Sequence, residues 1–331
     1  MITDVIRRNR GISAFVAFAA LLGVGSSQAG AQTNSALLVK PFPKELLVQS
    51  ETGGAWLEQG HTQKSNEDFQ LSLYGSQGMF RLQPGELASP RIGYNFVYLD
   101  TQTSLPGFPR RLVDQSVAFA TPIGKYEDWI FGASAGVGYA GDSFFGDGDA
   151  YYGLASLAAF KQIDEASALV FVLDYDGNRT FLPDLPIPGV EYIKRINDTL
   201  ELTVGVPVSS IKWKATDQLT VELGYYIPYD IRLDIGYEII PHVTLFGRSR
   251  QETEGFYVDG LGENYYRILF QQRRAEAGVR YSPDEHLNFD LALGYAWGGE
   301  FSSGFSLRSS THEIADISDE PYIRAGIELR Y

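Results

Sequence analysis

The C-terminal residues 321–331 alternate between apolar and polar side chains, and this period constrains the fold more than any other feature of the chain. Successive side chains of a strand point to opposite faces, so one face carries Ile323, Ala325, Ile327, Leu329 and Tyr331. The opposite face carries Tyr322, Arg324, Gly326, Glu328 and Arg330. A soluble sandwich would hold the charged face in water, whereas a membrane barrel holds the apolar face against lipid and the charged face in an aqueous lumen.

The same alternation recurs along the chain, most clearly at residues 219–227, 231–239 and 286–299. A register slip of one residue in the second of these segments would place Arg232, Asp234 and Glu238 where the apolar side chains belong. A basic side chain moved to the middle of the lipid face costs roughly 2–4 kcal/mol, so the register is strongly specified.

The connections between these segments come in two sizes. Short polar connections lie near residues 161–165, 195–198, 216–217, 241–242 and 282–285, and long ones lie near 141–149, 176–187, 251–264 and 300–320. Short turns at one end and long loops at the other are typical of outer-membrane barrels. The sequence therefore predicts an all-β fold, a closed antiparallel transmembrane β-barrel of about 14 strands, the number being even and between about 12 and 16. A soluble sandwich or propeller is the alternative.

The N-terminal region has the residue order of a secretory signal peptide. Three arginines at positions 7, 8 and 10 precede an apolar run at 11–25 and the small residues 29–31, which predicts cleavage after Ala31. The apolar run is too short for a helix that spans a membrane, which needs about 20 residues. We therefore interpret 1–31 as a signal peptide, 32–66 as a periplasmic lead-in with room for one short strand at 54–59, and 67–331 as the barrel.

Charge and cysteine content exclude several classes of function. The chain has a formal net charge of −14, and removal of the signal peptide makes the balance more acidic. Nucleic acid is not an expected partner, because binding phosphates requires a basic surface. The chain contains no cysteine, so neither a disulfide framework nor a thiolate nucleophile or metal ligand is available.

Several turns and strand starts carry a family resemblance. They lie at 89–100, at 181–190 with the sequence FLPDLPIPGV, at 197–198, and at 204–207 with the sequence VGVP. Together they resemble, over residues 90–331, a family of exported bacterial outer-membrane β-barrel proteins defined as a domain of unknown function. The apolar strand that ends at Tyr331 also resembles the signal read by the barrel-assembly machinery. The resemblance implies a fold, the bacterial outer membrane as location, and that machinery and outer-membrane lipid as partners; it implies no catalytic residue.

The polar faces of the predicted strands give a set of candidate lumen-facing side chains. They are Lys194, Lys212, Lys214, Glu222, Arg232, Asp234, Glu238, Arg267, Arg274, Glu276, Arg280, Arg324, Glu328 and Arg330. Their mixed signs favour a hydrated interior bridged by ion pairs, which is either a pore whose field tunes selectivity or polar filler between strands. A barrel of about 14 strands lies between the filled eight-stranded type and the open porins, so both interpretations stay open.

Enzymatic and metal-binding alternatives have weaker support. All four histidines, at positions 61, 242, 286 and 312, fall in or beside predicted turns, so a pair such as Ser282 and His286 is better explained by turn structure than by catalysis. The acidic loop at 141–149 lacks the spacing of an EF-hand, and no phosphate-binding or zinc motif is present. We expect no enzyme activity and no cofactor. A passive channel for small solutes is the leading hypothesis, and a structural barrel whose loops at 251–264 and 300–320 contact a partner is the alternative.

Overall fold

The chain forms one β-barrel. A computed structural model describes residues 35–39, 42–43, 45–83, 89–226, 230–258, 267–307 and 311–331. The predicted signal peptide and its cleavage site lie outside the described residues. A short helix, α1 (Ala36–Val39), precedes the strands. No helix in the described part of the chain is long and apolar enough to cross a membrane.

The strands follow one another with only short interruptions. In chain order they are β1 (Val48–Leu57), β2 (Gly60–His61), β3 (Asp68–Arg81), β4 (Arg91–Thr103), β5 (Arg111–Tyr126), β6 (Trp129–Gly141), β7 (Tyr151–Gln162), β8 (Ser167–Asp176), β9 (Ile187–Asn197), β10 (Leu200–Val206), β11 (Val208–Lys214), β12 (Leu219–Tyr226), β13 (Asp230–Ile240), β14 (Val243–Tyr257), β15 (Arg267–Tyr281), β16 (Leu287–Gly304), β17 (His312–Ile317) and β18 (Glu320–Arg330).

The barrel is closed by the pairing of β1 with β18, and every strand of the wall pairs antiparallel with its neighbours. Within the described ranges, sixteen strands form the wall, while β2 and β17 extend it beyond the ends of β1 and β18. The predicted fold class is confirmed, and the predicted number of about 14 is too low. The barrel also begins at Val48, earlier than the predicted residue 67. The sequence pattern missed β1 because this strand presents Ser50, Thr52 and Gly54 outward and lacks the apolar alternation that marks the other strands.

The apolar faces of the strands point outward and the polar faces point into the barrel. In β18, Ile323 and Ile327 are 51% and 47% exposed, whereas Tyr322, Arg324 and Glu328 are buried inside. Exposed apolar side chains cover the outside of most other strands as well. This is the arrangement of a transmembrane barrel and excludes the alternative of a sandwich with its apolar faces packed together.

Exposed aromatic side chains mark the two ends of the outer surface. We call the end that contains the C-terminus the lower rim and the opposite end the upper rim. Tyr237, Tyr281 and Tyr331 are exposed near the lower rim, and Trp56 and Tyr295 near the upper rim. Two aromatic belts are expected where a barrel meets the two membrane interfaces.

The wall is much lower on one side than on the other. Strands β10 and β11 have 7 residues each, whereas β14 and β15 have 15. The missing height is at the upper rim, because β10 ends where Val206 pairs with Val190 of β9. On the other side, residues 251–257 of β14 rise above the paired part of β13 and pair with β15. We call this gap, bordered below by Val206, Pro207, Val208 and Tyr226, the upper notch.

The hairpin of β14 and β15 crosses the upper mouth of the barrel. Tyr257 at the top of β14 pairs with Gly141 at the top of β6, on the opposite side of the wall. On one side of the hairpin an apolar cluster fills the mouth, with Phe270 and Phe301 rings 4.7 Å apart. The predicted loops at 251–264 and 300–320 therefore begin too early, since strands continue to Tyr257 and Gly304. Their charged residues belong to polar strand faces near the upper rim, which the sequence pattern does not distinguish from a loop.

Candidate functional site in the barrel lumen

A cavity of about 960 Å³ runs through the inside of the barrel. Glu285, His286 and Tyr331 line it at the lower rim, and Arg179 and Thr180 line it near the upper mouth. Because one cavity touches both ends, the interior is not completely filled by side chains. The inner wall around it divides into a charged part and an apolar part.

Glu276 of β15 lies at the centre of the charged part. Its side chain is only 2% exposed. The two carboxylate oxygens accept hydrogen bonds from Arg324 Nε at 2.9 Å, from the Tyr322 hydroxyl at 3.0 Å and from Arg248 at 3.5 Å. The cost of burying this carboxylate is offset by several charge-assisted donors.

Further ion pairs extend from Glu276 across the inward faces of β13–β16 and β18, which we call the charged wall. They are Arg248 with Asp234 at 2.5 Å, Arg280 with Asp290 at 2.7 Å, Arg324 with Asp290 at 3.3 Å, Arg274 with Glu252 at 2.9 Å and Arg330 with Glu328 at 2.8 Å. Each of these arginines has an acidic partner, so the charged wall is polar without a strong excess of either sign.

The inward faces of β7–β11 differ from the charged wall. They contribute polar side chains to the cavity, among them Asp174, Asp176, Glu191, Glu201 and Lys212, together with the group that we call the apolar wall: Leu154, Val172, Ile187, Gly189, Ile193 and Val208. Ser156 and Asp174 interrupt it, but the serine hydroxyl donates to the carboxylate at 2.6 Å. Arg179 donates to the same carboxylate at 2.6 Å. The lumen therefore has an apolar patch among polar side chains on one side and a network of ion pairs on the other.

The residues before β1 enter the lower part of the lumen. Phe42 and Leu37 are fully buried against Met79, Ala118 and Ala120 of the inner wall. Arg81 donates hydrogen bonds to the carbonyl oxygens of Phe42 at 2.6 Å and Leu46 at 3.3 Å. The described residues of 35–47, which we call the N-terminal segment, thus narrow the lumen from below, whereas the sequence suggested only a periplasmic lead-in.

The pairing register places most of the candidate lumen-facing residues on the inner face. These are Lys212, Lys214, Glu222, Arg232, Asp234, Glu238, Arg274, Glu276, Arg280, Arg324, Glu328 and Arg330. Lys214 and Glu238 lie at the exposed lower rim, and the others lie deeper. The deeper residues form the charged wall or border it.

Two candidates have other positions. Lys194 lies on the outer face, in register with the outward Leu202 of β10, so its prediction is wrong. It lies close to the lower rim, where a lysine can keep its stem against lipid and extend its amine to the interface. Arg267 lies above the lumen at the top of β15, and its guanidinium donates to Asn178 Oδ1 at 2.7 Å and to the carbonyl oxygen of Arg179.

The sequence did not predict the cluster of hydrogen-bonded polar side chains that holds the β14–β15 hairpin across the upper mouth. Asp114 of β5 accepts hydrogen bonds from the Tyr152 hydroxyl at 2.6 Å and from Asn178 Nδ2 at 3.0 Å. Asn178 also donates to the carbonyl oxygen of Gly255 in β14 and accepts from Arg267. These residues come from five separate parts of the chain: β5, β7, the connection between β8 and β9, β14 and β15. The local signal for the cluster was one aspartate within β5.

The histidines and the acidic loop considered for catalysis or metal binding make hydrogen-bond contacts with backbone atoms. The His286 ring lies 2.8 Å from the carbonyl oxygen of Arg330, and the His242 ring lies 2.8 Å from that of Ser282. In the acidic loop, Asp147 accepts a hydrogen bond from the backbone of Asp149. Among the described residues, no group of three or more His, Cys, Asp or Glu side chains is arranged to hold a metal ion.

Comparisons with known proteins concern the fold alone. No family model and no curated protein matches the chain, so the family resemblance stays a prediction. The chain is similar to a solved FadL homologue of Pseudomonas aeruginosa, at 10% identity and a TM-score of 0.41, with 94% of this chain and 97% of that one covered.

Two further structures show the breadth of the likeness. The Ralstonia pickettii toluene transporter TbuX is 11% identical with a TM-score of 0.37, and the alignment covers 92% of this chain and 96% of that one. The β domain of the Bordetella autotransporter BrkA is 10% identical with a TM-score of 0.32, covering 86% of this chain and 100% of that one. At these identities and TM-scores the likeness says nothing about substrate or mechanism.

Proposed function

We propose that the protein is a passive channel of the bacterial outer membrane that passes small solutes through its lumen. The observation that supports this most directly is the cavity of about 960 Å³ that reaches from the lower rim to the upper mouth. The apolar outer surface between two aromatic belts supports the placement in the membrane. Ligand cavities of this size hold small molecules.

The charged wall suits passage without strong ion selectivity. Its arginines are paired with carboxylates, for example Arg280 with Asp290 and Arg330 with Glu328. A water-filled lumen lined by such pairs solvates polar groups of a solute without binding one sign of charge tightly. We therefore expect a weak preference between cations and anions, and a conductance held low by the N-terminal segment and the hairpin of β14 and β15.

Single-channel recording in planar lipid bilayers tests the proposal. Folded protein, identified by gel mobility that changes on boiling, should produce discrete conductance steps whose reversal potential in a salt gradient stays near zero. A protein in which Phe42 is replaced by alanine should conduct more, because that side chain fills the lower lumen. Phe80→Ala, which changes an outward-facing side chain, is the control. Folded protein that inserts and never conducts would remove the proposal.

A structural or surface-interaction barrel is the second candidate. The apolar cluster in the upper mouth favours it, because Phe69, Phe256, Phe270 and Phe301 are buried together there and narrow the opening. In that case the barrel would display its upper loops to a partner, and replacing those loops would abolish binding while the protein remained non-conducting.

A further inference from the structure

The upper notch is too low for the wall to cross the membrane there. Seven residues at about 3.3 Å each extend about 23 Å along β10 or β11, and a strand tilt of about 40° reduces this to about 18 Å. The apolar band of such barrels is about 25 Å tall, and a strand that crosses it needs about 9–11 residues. The wall at β10 and β11 therefore ends within the hydrocarbon region.

The aromatic belt supports the same conclusion from the opposite side of the barrel. Trp56 and Tyr74 meet edge to face on β1 and β3, and the indole donates to the Tyr74 hydroxyl at 2.9 Å. Such a pair belongs at the membrane interface. At the top of β10, by contrast, the exposed side chains are Val204 and Val206, at 63% and 50%. These side chains suit contact with acyl chains.

Behind the notch lies the apolar wall of the lumen. Val208 at the rim and Val172, Ile187 and Gly189 beside it all border the cavity. A Cβ atom on Gly189 would lie 3.0 Å from the Pro207 ring, so glycine allows the turn between β10 and β11 to rest against β9. A hydrocarbon that passes over this turn therefore meets Val208, Gly189 and Val172 first, and the carboxylate of Glu191 lies below them.

The upper notch is bounded from above by a hydrogen bond, and polar side chains lie across the lumen from it. Thr180, in the connection between β8 and β9, hydrogen-bonds Thr253 of β14 at 3.2 Å and thereby bounds the opening from above. Arg232 and Arg250 of β13 and β14 border the cavity on its charged side. A molecule with a hydrocarbon part and a polar head would find a matching surface for each part.

We propose that the upper notch is a side entrance through which the hydrocarbon part of an outer-leaflet amphiphile reaches the apolar wall of the lumen. This inference depends on the membrane placement in the proposed function and adds a substrate class and a route to it. The amphiphile would lay its chain over Val208 toward Val172 and keep its head group in the polar part of the cavity.

The absence of cysteine in the chain makes a test by site-specific labelling direct. Three valines give matched positions: Val204→Cys faces outward on β10, Val208→Cys faces inward at the notch, and Val97→Cys faces inward on the 13-residue strand β4, across the lumen from the notch. Each variant carries a small thiol-reactive fluorophore and is folded into vesicles of phosphatidylcholine with a nitroxide on the acyl chain. We expect strong quenching at Val204, similar quenching at Val208 and little at Val97.

The three positions separate the possible failures. If the label at Val204 is not quenched, the barrel does not lie in the membrane as proposed, and the proposed function fails with it. If Val204 is quenched but Val208 is as little quenched as Val97, acyl chains do not enter the notch. The bilayer then thins around the low wall instead, and the side entrance is refuted.

A second variant tests the height of the wall itself. Inserting two residues on each side of Pro207, in the alternation Thr-Val, should raise the β10–β11 hairpin through the apolar band. We expect this variant to lose the quenching at Val208 and to keep the aqueous conductance of the parent protein. Unchanged quenching at Val208 after the insertion would overturn the proposal.

Discussion

Replacing Glu276 by glutamine should destabilise the barrel strongly, although the side chain hardly changes in volume. The substitution removes the charge that two arginines and one tyrosine share: Arg324 at 2.9 Å, Arg248 at 3.5 Å and Tyr322 at 3.0 Å. Removing one partner of a buried ion pair costs about 3–5 kcal/mol, because the other charge remains buried.

The stability cost of Glu276→Gln should lie at the lower end of this range. Arg248 keeps Asp234 and Arg324 keeps Asp290 as partners, and glutamine can still accept a hydrogen bond from Tyr322. We therefore expect a loss of about 3 kcal/mol, which lowers the folding equilibrium constant roughly 150-fold. Urea unfolding in lipid vesicles, followed by tryptophan fluorescence, measures this difference as a lower midpoint at an unchanged slope.

Glu238→Gln is the matched control. Glu238 also lies on the inner register of β13, but it is exposed at the lower rim. The control should change stability by less than about 0.5 kcal/mol. If Glu276→Gln costs no more than the control, the charged wall is solvated filler and the ion-pair reasoning is refuted.

Two further predictions concern the ends of the chain. Arg81→Ala removes the hydrogen bonds to the carbonyl oxygens of Phe42 and Leu46. The N-terminal segment should then leave the lumen, and the single-channel conductance should rise. An unchanged conductance would show that the segment is held by packing alone. Tyr331→Ala should reduce the yield of heat-modifiable barrel in cells through weaker recognition by the assembly machinery. Refolding of the purified variant in detergent should be unaffected, because the hydrogen bonds between residue 331 and Val48 use backbone atoms alone. An equal defect in both assays would contradict the recognition role.

Strand alternation made much of the barrel predictable. In β13 and β18 the apolar and charged residues separate cleanly by period two, and both strands lie as this pattern indicates. The number of strands was harder to obtain, since β1 has small polar residues on its outer face and β11 is short. Lys194 was misplaced because a lysine near a rim tolerates either face.

The sequence by itself determined that this chain forms a barrel and which side chains face outward, because the period of a strand and the exclusion of charge from lipid are local properties of each segment. Only the tertiary structure decided the shape of the lumen. The contact of Tyr257 with Gly141, the entry of Phe42 from below and the low wall at Pro207 depend on strand register and on residues far apart in the chain. The height of one side of the wall relative to the other depends on the summed register offsets of all sixteen strands of the described wall. No single segment of the sequence therefore determines it.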